Sequence, residues 1–223
     1  YPSGHLGLVA ADGALEFYDG FLRAIDANGN VTLNDIHGDD YLKYFGEGVE
    51  KWSYMKFPYL RHLGRQEGWN RVGPLARLNV CDQMSTPKAQ AALEEFREAF
   101  GRPAQATLLY HYARLIELVY ACERTIELLE WDGITDTDVR ATVTPGAGRG
   151  VGVVEAPRGT LIHDYTTDAN GCIESANLIV GTTHNIGPMN MSVKQAATSL
   201  IKDGAYDQGI LNKVEMAVRA YDP

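Results

Sequence analysis

Apolar and polar residues alternate along two stretches of the chain, and the same four residues, Asp-Ala-Asn-Gly, interrupt both of them. The first stretch is LEFYDGFLRAIDANGNVTLNDI (15–36) and the second is GTLIHDYTTDANGCIESANLIVG (159–181). Alternation with a period of two is typical of half-buried strands, and Asn-Gly favours a tight turn because both residues tolerate positive φ angles. The pattern therefore predicts two β-hairpins, each turning at Asp-Ala-Asn-Gly.

Two longer segments carry helical signals. In STPKAQAALEEFREAFG (85–101), a hydroxyl cap and Pro87 mark a helix start and Gly101 marks its end. The segment 106–131 repeats apolar residues every three or four positions, which predicts a long helix with one face in the core. The residues of that face are Leu108, Leu109, Tyr112, Leu115, Ile116, Val119 and Ile126. The acidic residues of the same helix are interpreted as a solvated face, paired with nearby arginines: Glu117, Glu123 and Glu127 with Arg114 and Arg124.

The end of the chain also has a helical pattern. TTHNIGPMN (182–190) is interpreted as a connection into a helix over 192–204, with Ser192 as its N-cap, and a last helix follows over 209–221. Hairpins followed by helices indicate an α+β fold with a substantial helical part. We treat residues 1–223 as a single domain.

Two other segments give weaker signals. Residues 37–80 mix aromatic, glycine and charged residues without a sustained period, which predicts irregular structure with short helices. Residues 139–152 are rich in glycine but lack the lysine and serine of a P-loop and the complete GxGxxG order. This second segment is interpreted as a close-packed turn and not as a phosphate-binding loop.

Charge and composition exclude several kinds of partner. The 223 residues carry 20 Lys and Arg against 29 Asp and Glu, a net charge of −9, and no basic run contains interleaved aromatic residues. Nucleic acid is therefore not an expected partner. No apolar stretch has the ~18 residues of a membrane span, so we expect a soluble, cytoplasmic chain. Three widely spaced cysteines form neither a disulfide framework nor a zinc motif, and we expect them to be buried thiols.

Arg158 lies at the junction of two strand-like runs, in VGVVEAPRGTLIHDY. A guanidinium stays charged at physiological pH, so it must reach solvent, pair with an acid or point at a ligand. An ion pair with Glu155, three residues earlier, is the simplest arrangement. Sequence alone leaves these alternatives open.

Three motifs then carry a resemblance to a known family. GRGVGVVEAPRGTLIH (148–163), ANLIVGTTHN (176–185) and the final RAYDP (219–223) follow one another in the chain. In this order they resemble the central and C-terminal part of the large, catalytic subunit of nickel-iron hydrogenases, above all the cytoplasmic, bidirectional branch that exchanges electrons with NAD or related carriers. The resemblance implies the large-subunit fold and reversible, heterolytic oxidation of H2 to protons and electrons.

The resemblance also implies roles for individual residues. Arg158 matches the arginine suspended over the open metal position, and Asp222 matches the acid that partners and orients it. Heterolytic cleavage of hydrogen separates a proton from a hydride, and a fixed donor–acceptor pair lowers the cost of that charge separation. Pro157 would shape the dry pocket around this pair.

Other matched residues would contact the cofactor. Val180, Gly181 and Thr182 match the stretch that cradles the CO and cyanide ligands of the iron, and the Leu178 carbonyl matches a ligand of a structural magnesium or iron. His184 stands where other branches have tryptophan, which favours the cytoplasmic branch. Taken without the resemblance, His184 and His163 are interpreted as structural histidines.

The family's four metal-binding cysteines, in two CxxC motifs, have no counterpart here. We therefore expect a fragment of a larger subunit, inactive when isolated and without a nickel-iron centre. The expected partners are NAD-reducing diaphorase subunits and the iron-sulfur small subunit, and the isolated fragment is expected to self-associate through uncovered apolar surface. Two alternatives remain: a cysteine-free, hydrogenase-like subunit of a respiratory complex, and a non-catalytic binding module.

The first prediction concerns metal content. Because a nickel-iron centre needs soft thiolate ligands, we expect the purified chain to bind no stoichiometric nickel and to show no hydrogen uptake with viologen dyes. Elemental analysis after chelation measures the nickel directly. Nickel that remains at one ion per chain would contradict this prediction.

Overall fold

The chain folds into three small sheets and six α-helices in a computed structural model that describes residues 1–222. The strands are β1 (Gly4–Val9), β2 (Phe21–Ile25), β3 (Val31–Ile36), β4 (Phe45–Glu50), β5 (Ser53–Leu60), β6 (Asn70–Arg71), β7 (Gly148–Ala156), β8 (Gly159–Thr167) and β9 (Ile173–Ile179). The helices are α1 (Tyr41–Tyr44), α2 (Pro74–Val80), α3 (Pro87–Phe100), α4 (Leu109–Leu129), α5 (Gly181–Leu200) and α6 (Gln208–Arg219). The predicted α+β class is confirmed.

The sheets are largely antiparallel. The first has the order β3-β2-β1-β6, in which only the short β6 runs parallel to its neighbour β1. Strands β4 and β5 form a separate hairpin, and β7-β8-β9 form a three-stranded meander. One cluster of buried apolar residues lies between the first sheet and the meander, and the other joins α2, α3 and α4.

Both hairpins predicted at Asp-Ala-Asn-Gly are present, as β2–β3 and β8–β9. In each turn, backbone amides of the following residues donate to the carboxylate of the aspartate. Asp26 Oδ1 accepts hydrogen bonds from the Asn28 and Asn30 amides, and Asp168 Oδ1 accepts from the Asn170 and Cys172 amides. This local hydrogen bonding is what makes the motif a turn.

The predicted helix after Thr86 is confirmed as α3, which begins at Pro87 and ends before Gly101, a residue with φ of 76°. The long helix is confirmed as α4, but its predicted buried face is wrong. Of the seven residues, only Ile116 is buried, and Leu109 and Tyr112 are partly buried. The core-facing side is centred instead on Tyr110, Ala113 and Ile116.

Three other expectations are corrected. Residues 37–80 hold the β4–β5 hairpin in addition to short helices. Residues 139–147 are exposed coil and not a close-packed turn. Helix α5 begins at Gly181, so TTHNIGPMN is helical, and Ser192 lies within the helix. Ser192 Oγ donates 2.9 Å to the Pro188 carbonyl one turn earlier, as an internal serine does and an N-cap does not.

The fold predicts a pH dependence through His5, which is fully buried in β1. Burial, helped by the Arg71 charge, lowers the pKa of His5 to about 3, against roughly 6.5 in an unfolded chain. Below about pH 6.5 the unfolded chain therefore binds a proton that the folded chain refuses, and the free energy of unfolding falls as pH falls.

Between pH 7.5 and pH 5.5 this histidine should account for a loss of about 1.4 kcal/mol. Urea unfolding at the two pH values measures the total loss, to which other groups contribute. His5→Gln should reduce that loss by about 1.4 kcal/mol, the part that comes from His5. An equal loss in the variant and the parent would show that His5 is not the buried, neutral group described.

Candidate functional site

Arg158 lies in the two-residue turn that joins β7 to β8, where Ala156 pairs with Gly159 across the hairpin. Pro157, the other turn residue, is exposed, as is Arg158. Gly159 has a φ of 130°, which residues with a side chain rarely adopt. The sequence Pro-Arg-Gly therefore forms a tight turn that presents the arginine side chain outward.

Three glycines pack directly around the backbone of this turn. A Cβ atom on Gly73 would come within 2.9 Å of the Arg158 carbonyl oxygen, and one on Gly181 within 2.9 Å of the Arg158 carbonyl carbon. On Gly159 it would lie 2.2 Å from Val72 Cγ2. Such distances leave no room for a side chain, so the turn is clamped between the start of α2 and the start of α5.

Asn185, the last residue of TTHN, joins the same turn to Val72, the residue directly after β6. Its side chain is buried; Oδ1 accepts from the Val72 amide at 3.0 Å, and Nδ2 lies 3.3 Å from the Val72 carbonyl and 3.4 Å from the Arg158 carbonyl. A side-chain amide can bridge two backbone segments in this way because it both donates and accepts. The TTHN motif therefore supports the arginine turn through Asn185.

Glu155 does not pair with Arg158, so the simplest sequence interpretation is wrong. Strand β7 points Glu155 into the interior, where Oε2 accepts from Arg77 Nη1 at 2.8 Å. Oε1 accepts from the Leu8 amide at 3.1 Å and from the Thr160 hydroxyl at 2.6 Å. Burial raises the pKa of Glu155, and the neighbouring guanidinium of Arg77 opposes that rise.

Arg77 in turn joins three elements. Its Nε and Nη2 bind both oxygens of Glu117 on α4, at 2.6 and 2.8 Å, and its Nη1 also reaches the Ala156 carbonyl at 3.0 Å. The predicted solvated face is therefore wrong at Glu117, which lies in this largely buried ion pair. Because Arg77 holds Glu155 and Ala156, it fixes the strand immediately before the arginine turn.

Arg158 and Asp222 lie together, as the resemblance implied. Arg158 Nε donates to the Asp222 backbone carbonyl and lies 3.6 Å from the carboxylate oxygen Oδ2. Asp222 has a φ of 53°, a left-handed conformation that aspartate tolerates and that turns the chain after α6. Both side chains are about half exposed (48% and 54%), so solvent screens the pair and it adds little to stability.

Tyr221 anchors the segment that carries Asp222. Its side chain is buried, and its hydroxyl accepts from Arg71 Nε at 3.1 Å and lies 2.9 Å from Ser192 Oγ on α5. The ring packs against Tyr110, with 5.0 Å between centroids. Asp222 is thereby held beside Arg158 by the preceding residue and not by its own ion pair.

The residues predicted to cradle cofactor ligands lie at the start of α5. Val180 is the N-cap, Gly181 touches the Arg158 turn, and Thr182 is half-buried in the first helical turn. Leu178 lies on β9, where it pairs with His163 of β8, outside the cluster of contacts around Arg158. The structure therefore brings Gly181 to Arg158 and leaves Leu178 apart.

His184 is buried and stacks edge-on against Phe45, with 5.8 Å between ring centroids. Burial lowers the pKa of His184 to about 3, which keeps the ring neutral, and Nε2 has no hydrogen-bond partner within residues 1–222. His163 lies 3.0 Å from the Tyr165 hydroxyl. The placement of His163 agrees with a structural role, whereas a structural histidine as buried as His184 would be expected to pair its Nε2.

The cysteines do not fit the ligand set of a nickel-iron centre, which needs several thiolates around one point. Cys81 is buried, and burial raises the pKa of its thiol to about 11, whereas Cys122 and Cys172 are exposed, against the expectation of three buried thiols. Within residues 1–222, no group of three or more His, Cys, Asp or Glu side chains could hold a metal ion. In the same residues, no helix is both long and apolar enough to cross a membrane.

Sequence reasoning missed the residues that position the site. Asn185 and Tyr221 lie inside motifs that carried the resemblance, so the motifs pointed to them without showing their contacts. Arg71 and Arg77 gave no signal, because a buried arginine cannot be distinguished from an exposed one by its spacing.

Comparison with known proteins places this site in a family. The profile described as nickel-dependent hydrogenase matches residues 18–223. The chain is 53% identical to a vhu subunit of the F420-non-reducing hydrogenase of Methanococcus voltae over 199 residues, covering 89% of this chain and 47% of that protein. It is 45% identical to NAD-reducing hydrogenase HoxS subunit beta of Cupriavidus necator over 227 residues, covering 100% of this chain and 46% of that protein.

Solved structures give the same result. A crystal structure of an NAD+-reducing [NiFe]-hydrogenase in the H2-reduced state matches with a TM-score of 0.93 and 43% identity, over 100% of this chain and 49% of that chain. The chain thus spans about half the length of the relatives it matches. Since the family profile covers nearly all of its residues, the chain belongs to the nickel-dependent hydrogenase family.

Proposed function

We propose that this chain forms one wall of a nickel-iron hydrogenase active site, and that Arg158 and Asp222 assist hydrogen oxidation there. The observation that supports this most directly is the supported Arg158–Asp222 pair. Residues of EAPRG, TTHN and RAYDP, separated in sequence, converge on it. A surface ion pair of little value to stability needs no such support, whereas a reacting pair does.

The proposed proton chemistry of this chain rests on these two side chains, and within residues 1–222 no group of three or more His, Cys, Asp or Glu side chains could hold the metals. Arg158 Nε donates a hydrogen bond to the Asp222 backbone carbonyl, and the two Nη groups of Arg158 make no hydrogen bond within residues 1–222. These Nη groups present a fixed positive charge to a small ligand in front of the turn. The Asp222 carboxylate, 3.6 Å from Nε, orients the guanidinium and can accept a proton released nearby.

The start of α5 supports a role in holding anionic ligands. The first amides of a helix have no intrahelical acceptor and lie at the positive end of its dipole, so Gly181, Thr182 and the Val180 cap offer donors to cyanide. In support of this role, Gly181 packs against the backbone of the Arg158 turn. The assignment of the Leu178 carbonyl to a structural magnesium or iron rests on the resemblance alone.

The partners that we propose rest on the resemblance, and the names of the relatives support only a multi-subunit hydrogenase. Proteins called NAD-reducing and F420-non-reducing hydrogenase subunits match this chain along slightly less than half of their length, 46% and 47%. By the resemblance, the partners we propose are NAD-linked diaphorase subunits and an iron-sulfur small subunit. We further propose a nickel-iron centre with CO and cyanide ligands in the complete protein, and a cytoplasmic location.

Replacing Arg158 tests the catalytic role. In a metal-loaded, full-length large subunit that contains this chain, Arg158→Lys keeps the charge and loses the planar geometry. Turnover in hydrogen oxidation should fall on the order of 10²–10³-fold, about 3–4 kcal/mol, with unchanged infrared bands of the CO and cyanide ligands. Asp222→Asn should be milder, because the arginine keeps its charge, and the double variant should lose less than the product of the single losses. Turnover like the parent in Arg158→Lys would refute the role.

Tyr221 provides a separate test of how Asp222 is positioned. Tyr221→Phe removes only the hydroxyl that binds Arg71 and Ser192, so the segment before Asp222 loosens. In the same loaded protein we expect turnover to fall roughly tenfold, equivalent to about 1.4 kcal/mol, because both contacts of the hydroxyl are lost. Tyr206→Phe, at an exposed tyrosine, is the matched control. Equal turnover in both variants would mean that Tyr221 does not position the site.

A further inference from the structure

The chain contains an Asn-Gly pair in each of two turns of identical sequence, Asn28–Gly29 in the β2–β3 hairpin and Asn170–Gly171 in the β8–β9 hairpin. An asparagine side chain that precedes glycine is open to attack by the glycine amide nitrogen, because glycine has no side chain to shield that nitrogen. Both turns read Asp-Ala-Asn-Gly, so a difference in their reactivity comes mainly from the structure around them.

The reaction is a ring closure that needs water and no cofactor. The deprotonated amide nitrogen of the glycine bonds to Cγ of the asparagine, the Cγ–Nδ2 bond breaks, and Nδ2 takes up a proton from solvent and leaves as ammonia. Water then opens the resulting succinimide ring at one of its two carbonyl carbons. The product is aspartate, or isoaspartate in which the main chain runs through the former side chain, and no atom is oxidised or reduced.

In both turns the attacking nitrogen is held by a hydrogen bond. Gly29 N donates to the Asp26 carbonyl at 3.1 Å, and Gly171 N donates to the Asp168 carbonyl at 3.0 Å. The amide must leave this hydrogen bond before it can lose its proton and turn toward the asparagine side chain. The rate therefore depends on how easily each turn opens locally.

The first turn is held against the interior of the chain. Gln105 Nε2 donates to the Ala27 carbonyl at 3.1 Å, and the Gln105 carbonyl in turn accepts from the buried Arg71 at 2.7 Å. A Cβ atom on Gly29 would lie 3.0 Å from Pro103 Cδ, so the backbone of the turn packs on that proline. Opening of the first turn breaks these contacts.

The second turn packs on exposed coil. Residues 169–176, which run from the turn into β9, are all exposed. A Cβ atom on Gly171 would lie 3.2 Å from Pro145 Cβ, and Thr167 Oγ1 donates to the Gly146 carbonyl at 2.8 Å. Pro145 and Gly146 belong to the exposed coil before β7, so these contacts do not attach the second turn to the core.

We propose that Asn170 is a site of spontaneous deamidation, converted through a succinimide to isoaspartate and aspartate, and that the fold protects Asn28 from the same reaction. The contacts of the two turns carry this inference. It depends neither on the family assignment nor on the catalytic role of Arg158.

The structural effect of the modification is confined to the turn and the start of β9. Isoaspartate lengthens the main chain by one carbon, which disturbs the hydrogen bonds that Asp168 Oδ1 accepts from the amides of Asn170 and Cys172. Arg158 lies before the other end of the nine-residue strand β8, roughly 30 Å away along the strand. The modification therefore adds a negative charge at the turn and leaves the Arg158 turn in place.

Peptide mass spectrometry measures both asparagines in one sample. The full-length large subunit that contains this chain is incubated at mildly alkaline pH, below its unfolding temperature, and isoaspartate is detected by enzymatic methylation of its carboxyl group. We expect conversion at Asn170 to be at least about tenfold faster than at Asn28. In urea, where both turns are unfolded, we expect the two rates to be similar.

A pair of variants tests the contact that protects the first turn. Gln105→Ala removes the donor to the Ala27 carbonyl and should raise the rate at Asn28 several-fold while leaving the rate at Asn170 unchanged. Gln195→Ala, at an exposed glutamine of α5, is the matched control and should change neither rate. Circular dichroism and thermal unfolding verify that both variants fold. If Gln105→Ala does not fold, the comparison of folded and urea-unfolded parent protein still decides.

Three outcomes would overturn the proposal. They are equal rates at the two asparagines in the folded protein, faster conversion at Asn28, and a folded protein in which Asn170 stays intact while it converts in urea. A difference of the same size in urea would show that the flanking sequence, and not the fold, sets the rates. These measurements involve neither metal nor turnover, so they leave the role of Arg158 to its own experiment.

Discussion

The rest of this structure depends on the ion pairs that the buried guanidinium of Arg77 makes with Glu117 and Glu155. This guanidinium binds both oxygens of Glu117 on α4, one oxygen of Glu155 on β7 and the Ala156 carbonyl, and so connects the helical layer to the β7–β8 hairpin. Three buried charges are expensive to desolvate, and this cluster is stable only because almost every donor and acceptor is satisfied. Loss of one member would leave an unpaired charge in the interior, at a cost of roughly 3–5 kcal/mol.

Close backbone packing at three glycines positions the arginine turn. Gly73, Gly159 and Gly181 come from three different elements and leave room for backbone alone. Asn185 then fixes the register of the turn through hydrogen bonds to Val72 and Arg158. Arg158 consequently has a defined position before any metal or partner is considered, which is the kind of preorganisation that electrostatic catalysis requires.

Local chemistry explains which elements could be predicted from sequence. The two Asp-Ala-Asn-Gly turns and α3 are encoded within a few residues, by an aspartate that binds nearby amides and by a proline and a glycine at the helix ends. The sequence did not predict the start of α5 because Gly187 and Pro188 normally interrupt helices, whereas here both lie inside one and Gly187 packs closely against Trp69. The buried face of α4 was misplaced because both of its sides are apolar.

In the candidate site too, residues within short motifs could be predicted from the sequence, and residues that act through distant contacts could not. Arg158 and Asp222 were found because short motifs of a known family contain them, whereas their supports depend on contacts between residues far apart in sequence. The pairing of Glu155 illustrates this: it lies three residues from Arg158, yet strand geometry points it inward to Arg77 and leaves Arg158 to the turn. Proximity in sequence favoured Arg158 as the partner of Glu155, but the actual partner, Arg77, is 78 residues away.

The Arg158–Asp222 pair is half exposed, so its surroundings decide how strongly its charges act. Water screens the two charges of this pair. Their electrostatic interaction becomes strong only where solvent is excluded, because the strength of a charge interaction rises as the local dielectric constant falls. The scaffold of this chain fixes the geometry of the pair, and the proposed reaction would need water to be excluded around it so that this geometry acts at a low dielectric constant.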